Sequence, residues 1–438
     1  MPLVSTFASL SRDGYVGDGG TLNTFSSSYI DTITDSGNEI TTIFSNFSST
    51  GNSVVEGQRI NGASGYAYVI KCNSSGNITN QKYFTSDIVA NFQSVQLRSY
   101  FDSSDNIYSI GRNTNYLNRT QGLLVSFDTS LNILWQRQLS DTLNQIKYDT
   151  GVLSTSYIYC GGSYGAGGTE AALISSYDYS GTIQFSKTVA NCSLVRGMAL
   201  ASSGDYYAVM QEISSITNYG YQLIKFNSSD TFQWNRSMRG ATNSNVVSYC
   251  AVDSSGNIIV ATLIGATIQL VKFNSAGTTL WQKTISPTID SLLGLQIDNA
   301  GSVYVYFSEI TSGTKAILMK VAGDGSSIIW QSSFVSPSAV LGFSNFGVNQ
   351  LNWRQGFLQL TLNYLPRTQT IVVVVPDTGA RKGVYTDVTY SAISTYSLAS
   401  SSLTINNIGN TTSTVSFTDS AGTLITNAGT LTQSVQII

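Results

Sequence analysis

Histidine is absent from all 438 residues. Its absence removes the commonest general base and the commonest metal ligand together. The 4 cysteines, Cys72, Cys160, Cys192 and Cys250, lie far apart and form no C-x-x-C pair. No metal site is therefore expected, and the thiols read as small buried hydrophobes. Charge is equally scarce. Lys and Arg number 22 against 25 Asp and Glu, and charged residues make up 11% of the chain. That balance excludes a nucleic-acid partner, since phosphate binding needs concentrated positive charge. With only 5 Pro and 11% aromatic residues, the chain has ample apolar surface to bury and is not expected to be disordered. The longest tight apolar run, "IVVVV" at 371–375, is far too short to span a membrane, so membrane insertion is not expected. The opening "MPLVSTFASLSRDGYVGDGG" lacks a basic start followed by an apolar run, which predicts synthesis in a cytoplasm without signal-directed export.

Ser, Thr, Asn and Gly are abundant instead, which suits strands with polar outer faces joined by tight turns. One hairpin recurs: "LVKFNSAGTTLWQKTI" at 270, "LIKFNSSDTFQWNRSM" at 223, "LVSFDTSLNILWQRQL" at 124. Its marker is Trp135, Trp234, Trp281 and Trp330, with Phe185, Asn80 and Gly383 in the same register elsewhere. A second hairpin alternates with it, clearest in "CAVDSSGNIIVAT" at 250, and "IDTITDSGNEITTIF" at 30 supplies its first copy. Four short strands per unit of roughly 40–50 residues specify a β-propeller blade. Seven copies predict an all-β, seven-bladed β-propeller over 25–390, with an N-terminal docking arm (1–24) and a C-terminal β-rich tail (391–438). Apolar residues in "IIVAT" and "LVKFN" are too dense for a one-sided sheet, so neighbouring blades should cover both faces. The recurrent Trp reads as an inter-blade packing residue. Asp102, Asp253 and Asp298 read as turn residues.

Both ends of the chain resemble tailed-bacteriophage virion proteins. "VSTFASLSRDGYVG" (4–17) resembles the short N-terminal segment of many such proteins, and "VSFTDSAGTLITNAGTLTQSVQII" resembles their repetitive C-termini. The resemblance implies a structural component of a virion (tail, fibre or capsid exterior), made in the host cytoplasm and released by lysis. It would contact other virion proteins through both termini, be present in many copies or as a homo-oligomer, and present the propeller as a rigid platform.

Function could reside in the loops joining second and third strands. Four of these supply a tyrosine, Tyr116, Tyr164, Tyr219 and Tyr364, which are candidate contacts to a host surface glycan. The loop of the first blade, around 45–65, is expected to be longer still. A propeller glycosidase or lyase is the further alternative. It would need two carboxylates facing across a cleft. Asp141, Asp149, Glu170, Glu212, Asp290 and Glu309 are available, but no spacing singles out a pair. Without histidine or a catalytic motif, the chain is expected not to be an enzyme and to carry no cofactor.

Overall fold

The computed structural model describes residues 29–437, apart from short segments between strands, the longer ones being 87–94, 115–119, 214–219, 240–246, 310–314, 336–340, 343–349 and 407–411. The described residues form strands and turns, arranged as seven small antiparallel sheets, the blades of a seven-bladed β-propeller. In chain order the blades span 39–86, 95–140, 145–189, 192–239, 248–286, 289–335 and 341–376. The first six each supply four consecutive meander strands, as in Ser248–Val252, Ile258–Ile264, Thr267–Phe273 and Thr279–Ser286 of blade 5. Residues 258–263 are all buried, because both faces of this sheet lie against neighbours. The apolar core is accordingly divided into layers between blades. Ile259 and Ala261 of blade 5 share one cluster with Leu292 and Leu295 of blade 6.

Two parts of the sequence-based register are corrected. The seventh blade takes its fourth strand from the N-terminal end: Tyr29–Thr34 pairs antiparallel with Gln369–Pro376. Gly383, aligned by sequence as the seventh marker, instead pairs with Tyr390 at the edge of blade 6. The 30–47 segment is therefore not one hairpin, because Glu39–Phe47 opens blade 1. The long first loop also disappears, since Ser53–Asn61 and Ser64–Cys72 leave only two residues between them. Closing a ring with a strand from the opposite terminus ties the chain ends together by ladder hydrogen bonds, which a seventh self-contained blade would not do.

The C-terminal segment then adds a fifth strand to every blade. Thr389–Ala392 pairs with blade 6, Ser397–Ser400 with blade 5, Thr404–Asn406 with blade 4 and Thr412–Thr414 with blade 3. Thr418–Ala421 pairs with blade 2 and Leu424–Ala428 with blade 1. Thr432–Ile437 ends on Tyr29–Thr34 in blade 7. This strap visits the blades in the reverse of their chain order, and covers outer edges that would otherwise expose unpaired backbone groups.

The markers lock successive blades. Trp234 donates its indole N–H to the Ser275 carbonyl of blade 5 (3.1 Å), and Trp281 donates to Gly323 of blade 6 (3.0 Å). Trp135 and Trp330 reach Tyr179 and Asp377 of the following blades in the same way. Each ring lies on a glycine of the turn it reaches: Gly181, Gly277, Gly325 and Gly379. In the turns that follow the blades marked by Asn80 and Phe185, Leu131 and Asp230 hold that left-handed position (φ 61° and 60°). Asp253 is a turn residue as expected, accepting from the backbone N–H groups of Ser255 (3.0 Å) and Asn257 (2.8 Å). It also pairs with Lys272 (3.0 Å), whose Nζ donates to the Gly323 carbonyl of the next blade.

Candidate functional site

The first strands of all seven blades converge on a central channel, where they enclose a cavity of about 300 Å³. Its wall includes Asn46 of blade 1, Tyr100 of blade 2, Asp149 of blade 3, Arg196 of blade 4, Tyr249 of blade 5, Gln296 of blade 6 and Asn352 of blade 7. In a chain with so few charges, guanidinium groups concentrate here. Arg98 and Arg112 of blade 2 both lie against Asp149 Oδ1, at 3.6 and 3.5 Å. Arg196 donates through Nη2 to Gln211 Oε1 (3.1 Å). Arg98 is 1% exposed, and burial lowers its pKa below the ordinary guanidinium value, a shift opposed by Asp149. Burial pushes the Tyr249 phenol well up, and Arg196 and Arg98 pull it back.

A second buried acid sits beside this group. Glu56 of blade 1 accepts hydrogen bonds from Ser99 and from Ser109 (2.8 Å) of blade 2. Burial raises its pKa from 4.5 to about 7, against those hydroxyls and Arg98. The sign of the stability effect follows. The unfolded carboxyl ionises near its ordinary value while the folded one still holds its proton, so stability declines as pH rises from 4.5 through about 7. Glu56→Gln should abolish that slope and be more stable than the parent by about 3 kcal/mol at pH 8. Denaturant melts of both chains between pH 4.5 and 8 check this, and parallel pH profiles would show that Glu56 does not titrate in this range.

Of the candidate glycan contacts, Tyr116 and Tyr219 lie outside the described residues. Tyr364 ends the strand Phe357–Tyr364, paired with Leu341. Tyr164 is half-buried; its hydroxyl donates to Asp141 Oδ2 (3.2 Å) and accepts from Asn144 Nδ2 (2.9 Å). The ring packs on the cluster between blades 2 and 3. The candidate carboxylates have separate partners. Glu170 pairs with Lys147 (2.8 Å), and Glu212 takes Arg239 Nε (3.0 Å) and Ser237 Oγ (3.1 Å). Asp290 accepts from Ser308 Oγ (3.5 Å), and Glu309 stands opposite Lys315 in the ladder. Only Asp149 reaches the channel wall. All four cysteines are buried, and burial raises the thiols of Cys192 and Cys250 to about 12. Sequence reasoning missed Arg98 and Arg196. The available signal was an Arg inside the otherwise uncharged first strands "VQLRSYF" and "CSLVRGMAL".

No family model and no curated protein matches the sequence. Among solved structures it is similar to the polysaccharide lyase Uly1, at 9% identity over 83% of this chain and 94% of that chain, with a TM-score of 0.45. It is also similar to the subtype N11 neuraminidase-like protein of a flat-faced bat H18N11 isolate, at 11% identity over 61% of this chain and 89% of that chain, with a TM-score of 0.31. TolB from Acinetobacter baumannii is similar at 10% identity over 74% of this chain and 80% of that chain, with a TM-score of 0.33. The expectation that the chain is not an enzyme is corrected by these neighbours, which include a polysaccharide lyase and a neuraminidase-like protein. The expectation rested on missing histidine, which removes imidazole bases but leaves carboxyl, phenol and guanidinium groups in the channel. At such low identities and TM-scores, no activity passes from these proteins to this chain.

Proposed function

We propose that the chain is a structural component of a phage particle, a rigid propeller held on the particle by its arm (1–24) and by the outward edge of its strap. The observation that carries this reading is the strap itself, which adds a strand to all seven blades. A part exposed outside the cell persists by slow unfolding, and a ring fastened at its outer edge has no blade that can leave alone. The resemblance of both termini to virion proteins supports the same reading, as does a chain rich in Ser, Thr and Asn with few charges. The propeller would then stand as a platform in many copies, where weak contacts to a host surface add up. Fractionation of a lysate from cells carrying the gene in its native genome tests the proposal. Mass spectrometry should find the chain in gradient-purified particles in multiple copies. A chain confined to the particle-free fractions would overturn it.

A further inference from the structure

We infer that the central channel is a binding site for a compact oxyanion, a carboxylate or sulfate group, held by Arg98 of blade 2 and Arg196 of blade 4. This goes beyond the particle reading and does not depend on it. The leading observation is unsatisfied donors. Arg98 Nε and Nη2 are buried without a hydrogen-bond partner, and so is Arg196 Nε. Buried guanidinium nitrogens left unpaired are costly, and a native fold keeps them where an anion or water completes them.

The placement agrees. On the strand Val95–Phe101, Arg98 and Tyr100 share a face, and Tyr100 lines the cavity. Arg196 lines the same cavity. Arg98 and Arg112 share Asp149, Arg196 lies farther round the wall, and Glu56 beside Arg98 holds its proton up to about pH 7. Asp149 is shared by Arg98 and Arg112 at 3.5–3.6 Å, too long for either to be a short charge-assisted bond. Below about pH 7 the group therefore holds excess positive charge around a guanidinium that is itself buried, where an anion presenting two oxygens fits the guanidinium fork. A cavity of about 300 Å³ has room for a monosaccharide-sized body behind that anion. Free inorganic ions and sugar acids thus share the chemistry.

Calorimetric titration of the full chain at fixed ionic strength tests the site, with sodium sulfate, acetate and glucuronate as probes and glucose as the neutral control. At least one anion should bind saturably with a one-to-one stoichiometry while glucose does not; tighter binding of glucuronate than acetate and sulfate would assign the site to sugar acids. Arg98→Met and Arg196→Met should each weaken that binding at least tenfold. Should the Arg98 variant fail to fold, Arg196→Met and Asp149→Asn still decide the question. Asp149→Asn removes the competing carboxylate and should tighten binding severalfold, whereas a merely structural ion pair would lose stability and leave binding unchanged. No saturable anion binding, or equal binding by the parent and Arg196→Met, would overturn the inference.

Discussion

A chain ending at residue 388 should fail to give a stable monomeric propeller. Truncation there removes the fifth strand of every blade, including Thr432–Ile437, which flanks the ring-closing strand Tyr29–Thr34. Outer strands such as Thr279–Ser286 and Ile328–Val335 would become exposed edges on all seven blades, each a template for pairing with another chain. Tyr29–Thr34 would keep only its ladder to Gln369–Pro376, so the closure would be held from one side. We expect the truncated chain to elute largely as aggregates, and its soluble fraction to melt lower by roughly 10 °C or more. Size-exclusion chromatography and calorimetry measure both. A monomer melting within a couple of degrees of the full chain would show that the strap is dispensable.

The second large effect concerns the inter-blade locks. Gly277→Ala should destabilise the protein by roughly 4 kcal/mol from two sources. The residue sits at φ +78°, where a Cβ costs about 1–2 kcal/mol. That Cβ would also fall 2.9 Å from the Trp234 ring and 2.8 Å from Arg236 Nη2, and crowding of this kind costs about 1–3 kcal/mol. The two sources separate in a double-mutant cycle. Trp234→Phe removes the indole ring that the methyl strikes but leaves the backbone strain. The double variant should therefore be less damaged than the sum of the singles by about 1 kcal/mol. Strict additivity would mean that the ring and the turn are not in contact. The natural sequence already contains part of the complementary experiment, because Leu131 and Asp230 occupy this position in the turns that follow the blades marked by Asn80 and Phe185.

How much could be read beforehand depended on repetition. The Trp hairpin is long, periodic and bracketed by Gly turns, so six blades and their two-sided burial were legible in strings such as "LVKFNSAGTTLWQKTI". Residues 29–34 were assigned to the wrong partner because a strand's own sequence states that it will pair but not with which distant edge. The tail's alternation of small polar and apolar residues read correctly as strands. Its seven addresses did not show, since segments of three to six residues such as Thr404–Asn406 carry no register signal. The channel was legible least. Arg98, Asp149 and Arg196 come from three successive repeats, and only the packing of blade on blade makes them neighbours. The tyrosines singled out for glycan contact were chosen by loop length, which says nothing of what a hydroxyl will bond; that of Tyr164 is engaged by Asp141 and Asn144.

The strap also imposes an order of events on the ribosome. Its first address, on blade 6, exists only after residue 335 has been made, and its last lies on Tyr29–Thr34, the earliest described strand. Each strap segment can settle only on a blade made well before it, and the segment Thr432–Ile437 pairs with a strand made about 400 residues earlier. Such extreme sequence separation predicts slow, late docking, during which the outer edges stand open to aggregation. The same separation works in reverse once docking is done. Because each blade must lose its strap strand before it can leave the ring, the strap that docks late also adds to the barrier that delays unfolding.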